Sequence, residues 1–427
     1  MSQATLTRPV PEAAEAADAN APSLAALQQR FAPVFARIAE GAAEREHRRT
    51  LAHAPLQWLR ESGFTALRLP KALGGSGASL EQLVALLVDL AEADPNLTQI
   101  LRPHFLFVDR VLYQGTPEAQ RHWLPLVARG DTFGNATTEV GEGAVGSLQT
   151  TLVPDGAAPG QWRLNGQKFY STGSLYADWI SVLARTVVPG QAEQSAHALV
   201  AGEAQGVERL DDWRGFGQRL TGSGTTVLRD VLVPEHAVLQ FRSGEPSPIV
   251  AFAQLFHLAS LAGIARALSR DTLAYVQARR RVFSHGAAAL PKDDPLVQHI
   301  VGQLASTAYM SELVVRDVAQ ALGPILRSAE AGNARADKAQ LDALELRAAQ
   351  AQVAVVDAVL QAATRMFDVG GSSALAEDLR LDRHWRNART LASHNPVIYK
   401  AKSVGDMLLN GAEPVYFWQV GRAAKNE

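Results

Sequence analysis

The chain contains no cysteine. Disulfides, thiolate nucleophiles and Cys-ligated zinc or iron–sulfur centres are therefore excluded. It also lacks a surplus of charge: 41 Lys+Arg against 43 Asp+Glu leave a formal net charge of −2 over 427 residues. Tracking a nucleic-acid backbone needs a strong basic excess, so no nucleic-acid partner is expected. No stretch approaches the ~18 consecutive apolar residues of a membrane span, so no membrane partner is expected either. Residues 1–23 are rich in Ala, Glu and Pro and have no apolar run. They read as a disordered tail rather than a secretory signal, which points to a cytoplasmic protein.

Acid is missing locally as well. Ala251 to Gly263 holds no Asp or Glu, and from Trp385 to Asn410 the only acidic side chain is Asp406. Pulling a proton off carbon usually needs a carboxylate or a free base. What the second region does hold is basic. Leu381 to Pro396 packs Arg383, Arg386, Arg389, His384, His394 and Trp385 behind a Gly370-Gly371 turn. Such a segment suits holding an anion and donating protons.

Hydrophobic residues at 47% and charged residues at 20% are ordinary for a globular protein. At roughly 150 residues per domain, two or three domains are allowed. Three zones differ in pattern. Residues 24–134 read as helical: Leu83, Leu86, Leu87 and Leu90 fall on one helix face, with Ser79 as its cap. Residues 135–241 read as a β domain. Asn165-Gly166 between Trp162–Leu164 and Lys168–Ser171 predicts a hairpin, and Trp179–Leu183, Ala198–Val200 and Thr225–Val233 are further strands. Residues 242–427 read as a helical bundle. A helix is expected from about Ile264 to Arg279-Arg280-Arg281. Leu346, Val353, Leu360 and Phe367 recur every seven residues, a seam for a bundle or an oligomer interface, and Ala331-Gly332-Asn333 marks a break between helices. The class is α+β, and the order of zones is not that of a Rossmann chain.

Four patterns share their order and spacing with a known family. They are Pro70-Lys71-Ala72-Leu73-Gly74-Gly75-Ser76-Gly77; Thr137-Thr138-Glu139 with Gly146-Ser147; Leu164-Asn165-Gly166-Gln167-Lys168 with Tyr170-Ser171-Thr172-Gly173; and Trp213-Arg214-Gly215-Phe216-Gly217 through Gly222-Ser223-Gly224 to Asp230-Val231-Leu232-Val233-Pro234. Over most of its length the chain resembles the acyl-CoA dehydrogenase fold family. Arg383, Trp385-Arg386-Asn387, Arg389-Thr390, His394, Pro396 and Tyr399-Lys400 are similar to its flavin-dependent monooxygenase branch, typified by dibenzothiophene monooxygenases and sulfur-acquisition oxidoreductases.

The resemblance implies an N-terminal helical domain, a central β-barrel-like domain and a C-terminal four-helix bundle, commonly assembled as a homotetramer. It implies FMN rather than FAD, reduced by a separate flavin reductase, and oxygenation through a C4a-hydroperoxyflavin, with an organosulfur compound as substrate. By the same resemblance, Asn135, Thr137, Thr138, Tyr170 and Ser171 would form the flavin bed. Arg280 and Phe283, with Gly370, Gly371 and Arg389, would take part in holding the cofactor. His104, Thr172 and His394 would form a polar catalytic cluster over it. Residue patterns alone also allow duller roles: strand filling for the Thr residues, a solvated helix end for the Arg run, and a satisfied core histidine for His104. His257, on a strongly apolar helix, either lines the substrate pocket or is simply buried. No His-x-x-x-His or carboxylate spacing suggests a metal. Alternatives stay open: an FAD-dependent acyl-CoA dehydrogenase or oxidase if Glu139, Glu142 or Asp406 reaches the site, a monooxygenase of aromatic rings or amines, and a flavin-binding protein without catalysis.

Overall fold

The computed structural model describes residues 22–141, 146–241, 245–330 and 336–416. The expected tail up to residue 21 and the break at residues 331–333 lie outside them. The chain starts with α1 (Leu24–Glu40), α2 (Ala42–Arg48), α3 (His53–Glu61), α4 (Leu80–Ala93), α5 (Pro95–Gln114) and α6 (Pro117–Ala128). Helix α4 begins at the expected cap. Ser79 Oγ accepts from the Gln82 amide, and Gln82 Oε1 accepts from the Ser79 amide, a reciprocal capping box. Leu83, Leu86, Leu87 and Leu90 are all fully buried. Helix α5 is set by Asp94 as cap and Pro95 at its first position, where the missing N–H costs nothing.

Strands follow: β1 (Phe133–Ala136), β2 (Thr151–Pro154), β3 (Gln161–Lys168), β4 (Trp179–Thr186), β5 (Gln194–Ala201), β6 (Val207–Arg209), β7 (Thr226–Pro234) and β8 (Val238–Leu239). They form one sheet in the order β6-β7-β3-β2-β4-β5-β8, with β1 running parallel to β4. The sheet thus starts at Phe133, ahead of the expected boundary.

Asn165-Gly166 makes no hairpin. Strand β3 runs straight through it, paired with β2 on one side and β7 on the other, and bulges between Leu164 and Gly166. The Asn165 side chain exchanges hydrogen bonds with Asp230, 2.8 and 3.0 Å, across the bulge. Gly166 has φ +153°, and a Cβ there would lie 2.4 Å from Thr150 Oγ1. The dipeptide that favours a tight turn equally suits a bulge where another backbone comes close.

The last part comprises α7 (Pro248–Ala278), α8 (Pro295–Glu330), α9 (Lys338–Arg365), α10 (Asp382–Ala392) and α11 (Val397–Asn410). Helix α7 is continuous and begins well before Ile264. It is long and apolar enough to cross a membrane, but most of it is buried inside the protein. On α9 the fully buried face is Leu344, Ala348, Val355 and Val359, whereas the heptad residues Leu346, Val353 and Leu360 are half-buried beside it. One hydrophobic core joins α1, α3, α4 and α5 to α7–α10, and a second fills the sheet and α6. Helix α5 serves both, with Leu101 and Phe105 in the first and Phe107, Val108 and Val111 in the second. It stands at the junction of the helical and β parts, where side chains on its different faces reach different sites.

Candidate active site

Three segments lie side by side at the edge of the sheet. The Asn135 amide donates to the Thr172 carbonyl at 3.3 Å, the Phe169 amide to Thr138 at 2.9 Å, and the Ser171 amide to Gly224 at 3.0 Å. Gly173, at φ +76°, lets this bed rest on α5; a Cβ there would lie 2.7 Å from the Ile100 carbonyl. Tyr170 takes a left-handed φ of +63°, uncommon for a bulky residue. Its ring is exposed beside Phe169 and Trp213. Ser171 and Thr172 are buried. Thr172 Oγ1 is 2.9 Å from Ser223 Oγ, which is 2.8 Å from Thr221 Oγ1. Asn135 Nδ2 is 3.4 Å from Thr137 Oγ1. Asn135 Oδ1 and Ser171 Oγ are buried without a partner. Such groups cost about 1–3 kcal/mol each when left unmet, so they fit the polar edge of a ligand such as a flavin ring.

Arg280 and Phe283 lie in the exposed segment after α7. The Phe283 ring stacks on His285 and lies over Gly371, where a Cβ would come within 3.1 Å of it. Arg279, rather than Arg280, donates to the Val369 carbonyl at 3.1 Å. Phe283, the Arg279–Arg281 run and Gly370-Gly371 are thus neighbours, and Gly370 backs onto the Tyr275 hydroxyl. Arg280 and Arg389 are exposed and make no ion pair among the described residues.

Most of the basic C-terminal segment is neutralised from elsewhere in the chain. Arg383 and His384 both hold Asp271 on α7, at 2.5 and 2.9 Å. Arg386 pairs with Glu46 at 2.5 Å and Asp382 at 2.7 Å, and Lys400 with Glu345 at 2.9 Å. Of its three arginines only Arg389 keeps a free charge among the described residues.

No hydrogen bond or ring contact joins His104, Thr172 and His394 to one another among the described residues; each has its own partners. His104 donates from Nε2 to the Thr65 carbonyl at 2.8 Å, and its Nδ1 has no partner. It lines a cavity of about 360 Å³ with His53, Arg60, Thr132 and Tyr176. Burial drives its pKa down to about 4. His394 sits instead with His257, ring centroids 4.3 Å apart, beside a much smaller cavity that Gln254, Leu261 and Asn395 also line. Burial first, then the charge of Arg102, takes His394 down to about 3. The helix turn explains the separation. His104 lies two residues, ~200°, from Arg102 around α5, so the two face opposite sides. Sequence reading passed over Arg102 and left His257 undecided.

Of the carboxylates that would keep a dehydrogenase open, none among the described residues is free. Glu139 accepts from Lys168 Nζ at 2.6 Å and from the Gln149 and Thr150 amides at 2.7 and 3.0 Å. Burial works to raise its pKa, but these bonds prevail and hold it at about 2. Asp406 is bound to Lys402 and Asn410 at the surface of α11. Glu142 lies outside the described residues. Glu139→Gln strands the fully buried Lys168 charge and is expected to destabilise the fold by about 3–5 kcal/mol in urea unfolding. Because the folded-state pKa is depressed, the Glu139 contribution is complete above its ordinary 4.5 and disappears as pH falls toward 2. The gap between wild type and variant should close over that window.

Three family models match in order: the acyl-CoA dehydrogenase N-terminal domain at residues 25–131, middle domain at 134–231 and C-terminal domain at 255–398. The chain is 29% identical to the probable FMNH2-dependent monooxygenase SfnC of Pseudomonas putida over 88% of its own length and 93% of the relative's. Among solved structures it is similar to FMN-bound TdsC, a dibenzothiophene monooxygenase of Paenibacillus sp. A11-2, with TM-score 0.84 and 26% identity over 91% of this chain and 98% of that one. The methanesulfinate monooxygenase MsuC of Pseudomonas fluorescens gives TM-score 0.81 and 26% identity over the same shares. The chain belongs to the acyl-CoA dehydrogenase family and, within it, to the flavin-dependent monooxygenase branch.

Proposed function

We propose that this chain is the oxygenase of a two-component monooxygenase, using FMN reduced by a separate flavin reductase to oxygenate the sulfur of a small organosulfur compound. The observation that carries this is the state of its carboxylates. Glu139 is locked to Lys168, Asp406 is at the surface, and Ala251 to Gly263 holds no Asp or Glu. Transfer of oxygen to a sulfur lone pair needs no carbon base. The orphaned Asn135 Oδ1 and Ser171 Oγ fit a flavin's polar edge, and Arg280 and Arg389 offer charge for its phosphate.

Bound reduced FMN would supply two electrons to dioxygen, one atom going to sulfur and the other to water. The protein's part is positioning and dryness. Thr172, fixed by Ser223, holds a hydroxyl at the bed, and His394 presents a neutral N–H from a buried site. Similar proteins that are FMNH2-dependent, bind FMN or act on methanesulfinate support the reading. A homotetramer accords with it: Ile398, Tyr399, Leu408 and Leu409 on α11 and Tyr309 on α8 leave large apolar side chains exposed.

The test is rapid mixing of the anaerobic protein, loaded with reduced FMN, with oxygen. A long-lived near-ultraviolet absorbance that decays faster with an organosulfur compound, yielding oxygenated product, is expected. Immediate oxidised flavin and peroxide, with bleaching of bound flavin by an acyl-CoA, would restore the dehydrogenase.

A further inference from the structure

The inference rests on the flavin reading of the proposed function and concerns what lies behind the bed. Lys168, the last residue of β3, is completely buried. Its ammonium reaches the segment that carries Thr137 and Thr138 and serves two acceptors there, Glu139 Oε1 at 2.6 Å and the Thr137 carbonyl at 3.3 Å. An ion pair this deep is weak support for a fold, because two charges must leave water. An apolar pair of similar volume does as well or better. The placement asks for another reason.

Strand β1 ends at Ala136. Beyond it the chain leaves the ladder, and the next backbone bond is the one that the Phe169 amide gives to the Thr138 carbonyl at 2.9 Å. The peptide between Thr137 and Thr138 is held instead from behind, by Lys168 on its carbonyl. A trans peptide is planar and points its C=O and N–H to opposite sides. With the Thr137 oxygen turned inward to the buried ammonium, the Thr138 N–H turns the other way, toward the open face of the bed. That N–H has no acceptor among the described residues. It belongs to the same bed as the unpartnered Asn135 Oδ1 and Ser171 Oγ. A charge-assisted bond to the carbonyl polarises the amide and makes its N–H a stronger donor.

We propose that Lys168 is a positioning residue for the cofactor: through the Thr137–Thr138 peptide it presents a strengthened N–H to the polar edge of bound FMN and so favours the reduced form. Reduction adds negative charge to that edge, and a preorganised donor gains most where charge develops. Lys168 itself stays beneath the bed and exchanges no proton or electron. Glu139 is its counter-ion. It keeps the ammonium in place and does not act on the bed.

The test uses the full chain with oxidised FMN and with FMN reduced anaerobically. Affinity for each form is measured by titration, and the midpoint potential of the bound flavin is read against a reference dye. Lys168→Met, of similar volume, should weaken reduced FMN about tenfold more than oxidised FMN, the worth of one ordinary hydrogen bond. For a two-electron couple that is a potential about 30 mV lower. Glu139→Gln breaks the same ion pair but leaves Lys168 its bond to Thr137, so the potential should stay or rise. Both variants lose the pair, so a merely structural role would move the flavin alike in both. An unchanged ratio of the two affinities in Lys168→Met would overturn the proposal. So would an equal fall in potential, or an equal loss of FMN, in Lys168→Met and Glu139→Gln. Wild type that binds neither form of FMN would strike the flavin reading itself, and the inference with it.

Discussion

Replacing His394 by Ala is expected to lower the yield of oxygenated product about 100-fold, the low end of what a preorganised hydrogen-bond donor contributes. Oxygen consumption should continue, its product shifting to peroxide, because flavin oxidation in a wetter, less ordered site does not need the substrate. The argument starts from burial. His394 and His257 are in ring contact at 4.3 Å, and both are driven far below the usual histidine pKa, first by burial. Near neutral pH both rings are uncharged, and His394 acts as a fixed N–H donor rather than as an imidazolium. His394→Gln, which retains an N–H, should recover part of the coupling. With His394 at about 3, the rate should show no inflection from it between pH 5 and 8. Measuring product, peroxide and oxygen uptake together across that range checks both points. An activity limb near pH 6.5 that vanishes in the Ala variant would show that a charged imidazole is required.

Periodic and capping signals were legible in the sequence because they are local. Ser79 and its leucine stripe determine α4 within one turn's reach, and α4 is found where they place it. Asn165-Gly166 was misread because a turn and a bulge make the same demand on backbone freedom, and only the approach of Thr150 decides between them. The basic C-terminal stretch looked like an anion site because its own segment carries almost no acid. The acids that neutralise it, Asp271 and Glu46, come from α7 and α2. The candidate site depends still more on distant geometry. His104 and Arg102 are two residues apart and serve different faces of α5. Nothing in the string around Arg102 shows that His257 stands opposite it; that follows only from the antiparallel register set by Thr98–Ser260 and Phe105–Phe256.

That register depends on how α5 is held, and Arg68→Ala should expose the fixing. Arg68 reaches from the turn before α4 and grips Asp109 on α5 with Nη2 at 2.7 Å and Nε at 3.1 Å, while its Nη1 donates to the Ala78 carbonyl at 2.6 Å. Both side chains are nearly inaccessible. Removing the guanidinium leaves a carboxylate in a dry site and is expected to cost about 3–5 kcal/mol in urea unfolding at pH 7. Replacing both partners, Arg68→Met with Asp109→Leu, should restore most of that loss, because neither charge then remains to be desolvated. The pH dependence gives a second check. Burial already pushes the Asp109 carboxyl up from 3.8, with Arg68 opposing it. Without Arg68 the folded state holds that proton to still higher pH, while the unfolded chain releases it near 3.8. Over that interval the folded state binds more protons, so the variant loses stability as pH rises. Its deficit should therefore be smaller at pH 5 than at pH 7. A deficit that stays constant, or a double variant no better than Arg68→Ala, would mean that packing around Ala78 rather than the buried pair secures α5.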